Sequence, residues 1–266
     1  MRYALPDDDV APQAIAITAS AEDPGYPAEW LVTENPAQPA KLTTTSGSWV
    51  LQFASPVSLA GAALVYPQLD AGLAVVLEGN SADSWASPSI AIAIPIPGPH
   101  PDDQAISPIV TIPGAACSFW RLRISGTNSV PVAIGRLMLL TSLRQFEDGT
   151  SVRWGVVEEE DYGIVDLPTE LGVETVYDLG GKRRELIGEW LLRELGAQQF
   201  LALRRATHGR VRPWLLWPFP EINDAYLVRW SDRASSRRLD VPDLEAGYVQ
   251  LVRCQVKELS RGLPWP

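Results

Sequence analysis

Only one stretch of this 266-residue chain carries helical periodicity, and that fact constrains the fold more than any motif does. It is residues 194–219, ELGAQQFLALRRATHGRVRPWLLWPF. Apolar and small residues recur there three or four apart, which predicts a helix near 195–207 with Leu195, Ala202 and Ala206 on one face and Phe200 or Leu203 at its margin. Gly209 is the expected stop, with His208 and Arg205 near the negative end of the helix. Residues 210–218 follow as an extended segment. Elsewhere the apolar residues alternate or form short runs, and 23 Pro and 20 Gly cut the chain into strand-sized pieces. The expected class is mainly β, with a single helix.

Charge suggests two parts. Residues 1–140 hold 5 Lys/Arg against 12 Asp/Glu, a net of −7, and residues 141–266 hold 17 against 20, a net of −3. The change from charge-poor to charge-rich places a boundary near 140, giving domains 1–140 and 141–266. The overall charge of −10 is opposite in sign to the basic footprint that nucleic acid requires. No apolar run reaches the length of a membrane-spanning helix, and MRYALPDDDV lacks the apolar core of a signal peptide. The chain is therefore expected to be made in a cytoplasm. Cys117 and Cys254 fall in different halves and are read as two buried free thiols.

The first half reads as consecutive strands. Residues 1–26 form an extended lead-in with a short alternating strand at 14–18. Trp49, Leu51 and Phe53 share one face of a strand that Ser55-Pro56 should break. Residues 60–66 are continuously apolar, as in a strand buried on both faces. Strands are also expected at 73–78, 90–96 and 132–140. Prolines at 95, 97, 99 and 101 mark a loop or a sheet edge. FWRLRI at 119–124 sets Phe119, Arg121 and Arg123 opposite Trp120, Leu122 and Ile124. Strands at this spacing form an antiparallel sandwich.

The order of features in this half resembles the galactose-binding-like (discoidin-type) jelly roll. Ser81, Asp83 and Trp85 match that family's turn motif. Trp120-Arg121-Leu122-Arg123 matches its penultimate strand, and Ile134-Gly135-Arg136-Leu137 its last. The resemblance implies a β-sandwich whose end loops bind a sugar, and makes Trp30, Asn35, Trp85, Asp102 and Asp103 the candidate glycan-binding residues, with Asp70 and His100 as further loop positions. A structural calcium ion is common in the family, but Asp102-Asp103 lacks the ligand spacing of a known calcium loop, so a solvated loop is favoured. No metal or cofactor is expected.

The second half reads as an α+β unit. Leu143, Gln145 and Glu147 alternate toward a hairpin turn at Asp148-Gly149, and residues 151–157 return. Glu158, Glu159, Glu160 and Asp161 form an acidic loop. RRELIGEWLLR reads as a strand because Gly188 interrupts any helix there and Gly180-Gly181 turns the chain before it. Strands are expected at 225–230 and 247–259, with a polar, Arg-rich loop at 231–238. The passage from His208-Gly209-Arg210 to Pro218, with the terminal VQLVRCQVKEL strand, resembles tail modules of tailed bacteriophages, including distal (Dit-type) tail proteins.

The tail resemblance implies a virion structural protein of the tail tip or baseplate. Its second half would form a ring of identical copies, contact the tail tube, hub and tape measure, and display the first half toward a host surface glycan. Arg204, Arg205, Arg210, Arg212, Arg237 and Arg238 would then meet Glu158, Glu159 and Glu160 of an adjacent copy; an ordinary solvated surface explains these charges equally well. The alternative is a carbohydrate-binding module that recognises a cell-surface glycan. A glycan-cleaving enzyme is the weaker alternative. With only His100 and His208, no G-x-S-x-G and no His/Cys cluster, neither a nucleophile triad nor a zinc site is visible, and no enzyme activity is expected. Two carboxylates would suffice for a glycosidase, but no cleft is recognisable.

Overall fold

The computed structural model describes residues 2–96, 106–146, 151–155, 164–168, 174–178, 185–192, 194–208, 211–219, 224–230, 235–239 and 249–258. The chain is mainly β and divides into two compact units. The N-terminal unit holds Arg2–Arg144 together with Trp217–Tyr226. The C-terminal unit holds Gln145–Leu216 and Leu227–Pro266.

In the N-terminal unit the strands are β1 (Arg2–Ala4), β2 (Ala16–Ala19), β3 (Ala40–Lys41), β4 (Gly47–Ser58), β5 (Gly61–Gln68), β6 (Ala74–Asn80), β7 (Ile90–Ala93), β8 (Val110–Thr111), β9 (Ala116–Ser125) and β10 (Ala133–Leu140). The nine strands other than β1 form a five-stranded sheet, β2-β4-β9-β6-β7, and a four-stranded sheet, β3-β10-β5-β8, and β1 belongs to neither. Every pairing between them is antiparallel. Trp49, Leu51, Leu77, Trp120, Leu122 and Ile124 of the first sheet share one core with Leu64, Ile134, Leu137 and Leu139 of the second. This is a β-sandwich, and its alternation is the one written in the sequence.

The continuous run in β5 is buried on both faces. Ala62 and Leu64 enter the shared core, while Ala63 and Val65 on the opposite side are also 0% exposed. Pro56 does not end β4 as expected. The strand continues to Ser58 across an irregularity between Gln52 and Val57, which absorbs the missing proline donor.

The lead-in at 1–26 is structured. After β1 come two short 3-10 turns, Pro6–Asp8 and Ala11–Gln13, and the expected strand sits at Ala16–Ala19. The backbone N–H of Val10 donates to Leu139 O at 2.9 Å, which straps this segment along β10. Asp9 is buried against Arg136 at 2.6 Å, and Asp8 is gripped by Arg144 through two bonds of 2.8 Å. Both acids lie in what the sequence reads as an extended lead-in, and their cations are 127 and 136 positions away.

In the C-terminal unit the chain order is β11 (Arg144–Gln145), β12 (Ser151–Gly155), β13 (Ile164–Pro168), β14 (Glu174–Asp178), β15 (Glu185–Leu192), α1 (Glu194–Ala206), β16 (Trp214–Phe219), β17 (Asp224–Trp230), β18 (Ser235–Leu239) and β19 (Val249–Glu258), with β11 beginning and β16 and β17 extending beyond the unit. β15 pairs antiparallel with β19 over eight residues, so Glu185–Leu192 within RRELIGEWLLR is a strand as expected. β12 also pairs with β15, and the hairpin turn at Asp148-Gly149 lies outside the described residues. The other edge of β19 takes β18 and the end of β17 in succession. The polar loop expected at 231–238 therefore contains a strand.

The helix bounds agree with the expectation to within a residue, but its buried face does not. Ala197, Phe200, Leu203 and Thr207 are buried, whereas Leu195 is 50% exposed and Ala202 is exposed. Aromatic packing decides this. Phe200 meets Trp230 edge-on at 5.5 Å, and Trp230 stacks on Trp214 at 5.0 Å. The stop differs as well. His208, with φ of 48°, takes the left-handed position expected of Gly209, and its N–H donates to Arg205 O.

Candidate functional site

Strand directions sort the expected glycan-binding residues. Gly47 at the start of β4 lies opposite Ile124 near the end of β9, and Ser58 lies opposite Ala116. The connection carrying Trp30 and Asn35 leaves β2 at Ala19, which lies opposite Trp49 near that same Gly47 end of β4, and runs to β3. Asn80 at the end of β6 lies opposite Phe119, so the turn carrying Trp85 leaves from the other end of the sheet. Trp30 and Asn35 thus sit at one end of the sandwich and Trp85 at the other, and they do not form one site. Asp102, Asp103 and His100 lie outside the described residues.

At the Trp30 end the polar groups hold loops together. Trp30, in a 3-10 helix at Ala28–Val32, is half-buried against the core and meets Tyr26 edge-on at 6.1 Å. Asn35 Oδ1 accepts from the N–H of Ala37. Asp70 accepts from the Ser129 hydroxyl at 2.9 Å and donates its own N–H to Asn128 Oδ1. Buried Asn128 also donates to Gln68 O and Val130 O, which fastens the β5–β6 and β9–β10 connections to each other.

The Trp85 end has a different character. Its turn is closed by one side chain. Asn80 Oδ1 accepts from the N–H of Ser81 and the hydroxyl of Ser89, and Asn80 Nδ2 donates to Ser84 O. Within this tied turn, Trp85 Nε1 donates to Asp83 Oδ1 at 2.6 Å. The Arg121 guanidinium lies 4.5 Å from the centre of the Trp85 ring, a cation–π contact. Arg121 comes from the outward face of β9, because Trp120 and Leu122 beside it point into the core. The indole is therefore held by its N–H and by one face while remaining partly exposed.

Beneath it lies Glu78. This residue pairs in register with Arg121 across β6 and β9, on the outer face of the five-stranded sheet, yet it is only 3% exposed. Arg121 holds Glu78 Oε2 through Nε and Nη2, both at 2.6 Å. Arg123 donates from Nε to Oε1 at 3.0 Å and from Nη1 to the Ser125 hydroxyl. The sequence singled out Trp85 and the shared face of Arg121 and Arg123 but missed Glu78. Its signal is a lone carboxylate on the outward face of the neighbouring strand.

Among the expected interface residues, Arg204 lies over the Trp230 ring at 5.4 Å, inside its own unit. Arg205 is exposed on α1. Arg210, Glu158, Glu159 and Glu160 lie outside the described residues, and Arg237 and Arg238 stand in β18 opposite Leu251 and Gln250. Among the described residues no three His, Cys, Asp or Glu side chains gather as metal ligands, and no helix is long and apolar enough to cross a membrane.

No family model matches this chain, and no curated protein matches it. Several solved structures resemble about half of it. The lectin domain of lectinolysin complexed with Lewis B antigen aligns with a TM-score of 0.40 at 9% identity, covering 50% of this chain and 96% of that one. A Streptococcus pneumoniae fucose-binding module aligns at 0.39 and 10%, covering 50% and 98%. A chitosan-binding module from a Paenibacillus chitosanase/glucanase, in complex with chitotriose, aligns at 0.38 and 15%, covering 52% and 100%. TM-scores near 0.4 at such identities carry none of those proteins' binding residues over to this chain.

Proposed function

We propose that the N-terminal unit is a non-catalytic glycan-binding sandwich that takes a sugar ring against Trp85. The observation that carries this reading is the fixed, partly exposed indole, with Asp83 on its N–H and Arg121 on one face. A flat aromatic surface set in place before binding suits the apolar C–H face of a pyranose, and costs little ordering entropy when the ligand arrives. The second oxygen of Asp83 and the free edge of Arg121 supply an acceptor and donors for hydroxyl groups at the rim. Few convergent polar groups around an apolar platform are what a small-ligand site requires.

A glycan array probed with the full chain, alongside Trp85→Ala, tests the proposal. Binding by the parent chain that disappears in the variant, with an unchanged near-ultraviolet CD spectrum, supports it. Equal binding by both chains, or none by either, removes it. Nothing favours the ring-forming tail role in the same way: Arg204, one of its expected interface residues, lies over the Trp230 ring of its own unit.

A further inference from the structure

The cations of the N-terminal unit are matched unevenly. Arg136 has Asp9 and Arg144 has Asp8, one carboxylate each. Arg121 and Arg123 share the single carboxylate of Glu78. Asp83, the nearest other acid in the turn, binds the Trp85 indole N–H and forms no ion pair with either arginine among the described residues. The Glu78 cluster thus keeps one uncompensated positive charge on a stretch of chain whose net charge is −7 over residues 1–140.

The free hydrogen-bonding capacity points the same way. Glu78 and the Trp85 ring take the Nε, the Nη2 and one flat side of Arg121, leaving Nη1 without a protein partner among the described residues. Glu78 and Ser125 take Nε and Nη1 of Arg123, leaving Nη2. The two arginines stand two positions apart on one outward face, about 7 Å between Cα atoms at ordinary strand rise. Small residues border them: Ala91 lies opposite Glu78 and Ala93 opposite Val76, so the edge strand leaves room above the sheet. Glu78 fixes both guanidinium groups in advance, which lowers the ordering cost of gripping a second carboxylate.

We infer that the Trp85 site selects carboxylate-bearing sugars, with the unpaired N–H groups of Arg121 and Arg123 binding the ligand's carboxylate while its ring lies against the indole. This rests on the glycan-binding reading above and adds the substrate class. A charge-assisted bond of this kind favours the acid over a neutral counterpart by at least tenfold in affinity.

The test titrates the full chain with acidic oligosaccharides that bind on the array, uronate- or sialate-containing, and with the same oligosaccharides after carboxyl reduction. The acidic forms are expected to bind at least about tenfold tighter, with the preference shrinking as salt rises. Arg123→Gln should bring the acid-to-neutral ratio toward one, and Arg123→Lys should restore part of it by returning the charge without the fork. Equal affinity for acidic and reduced forms, with binding still abolished by Trp85→Ala, overturns the acidic preference and spares the glycan-binding reading. A ratio unchanged in Arg123→Gln, with its CD spectrum intact, also overturns it. Binding that is indifferent to Trp85, or absent throughout, overturns both.

Discussion

Arg136 and Asp9 are 127 residues apart in sequence and 2.6 Å apart in the fold, with 4% and 0% of their side chains exposed. Asp9 Oδ1 also accepts from the N–H groups of Ala11 and Leu139, so one carboxylate ties the N-terminal segment to β10. Removing one partner leaves the other buried and charged. Asp9→Ala is expected to destabilise the N-terminal unit by about 3–5 kcal/mol, read from urea unfolding. The double variant Asp9→Ala with Arg136→Met should be milder than Asp9→Ala alone. Equal midpoints for parent and Asp9→Ala would contradict the finding.

Gly135 offers a steric test. A Cβ built there meets Pro36 O at 2.5 Å and Val65 O at 3.1 Å, both backbone atoms that cannot rotate away. Gly135→Ala should cost about 1–3 kcal/mol through overpacking. Gly25→Ala serves as the control, because its Cβ meets only the Asp23 side chain at an ordinary 3.5 Å. Comparable thermal midpoints for the two variants would refute the packing described for β10.

At the end of the helix, the Thr207 hydroxyl bonds Leu203 O or Arg204 O and accepts from Trp230 Nε1 at 3.0 Å, all within a buried pocket. Thr207→Val keeps the volume and leaves the indole N–H without an acceptor. The expected loss is about 1–3 kcal/mol. A blue-shifted or otherwise altered tryptophan emission in the folded variant is a second readout, and an unchanged unfolding midpoint would argue against the bond.

Cys117 supplies a pH dependence. Burial raises its thiol above the ordinary 9.0, because the thiolate would lose its hydration. The folded chain therefore holds this proton to higher pH than the unfolded chain does. Its contribution to stability is complete below about pH 9 and is lost as pH rises through the folded value. Buried Tyr3 acts in the same direction from 10.0 upward. Urea midpoints measured under reducing conditions should be level from pH 7 to 8.5 and fall above pH 9, in windows set by these two groups. Cys117→Ala should fall less steeply between pH 9 and 10, and an identical slope would show that the thiol is not held in its neutral form.

The legible parts of this fold are those that local pattern reports. Alternation in 49–53 and 119–124 named the core faces of β4 and β9, and the unbroken apolar run named β5 as a strand without a solvent face. The helix at Glu194–Ala206 was readable from spacing. Its buried face was not, since Leu195 and Phe200 are equally apolar and only the position of Trp230 chooses between them. The strand at Ser235–Leu239 was hidden because its residues are polar and it gains its identity from pairing with β19.

The candidate site divides in the same way. Trp85 and the common face of Arg121 and Arg123 follow from residue type and a period of two, which depend only on neighbours along the chain. That Trp30 and Trp85 stand at opposite ends, that Glu78 joins the two arginines, and that Asp8 and Asp9 find their cations near residue 140 depend on which strands pair and in which direction. Pairing joins residues distant in sequence, and no periodicity records it. The sequence by itself determined the β class, the inward faces of β4 and β9 and the aromatic–arginine signature; only the tertiary structure decided which charges neutralise one another and that Arg121 and Arg123 share one carboxylate.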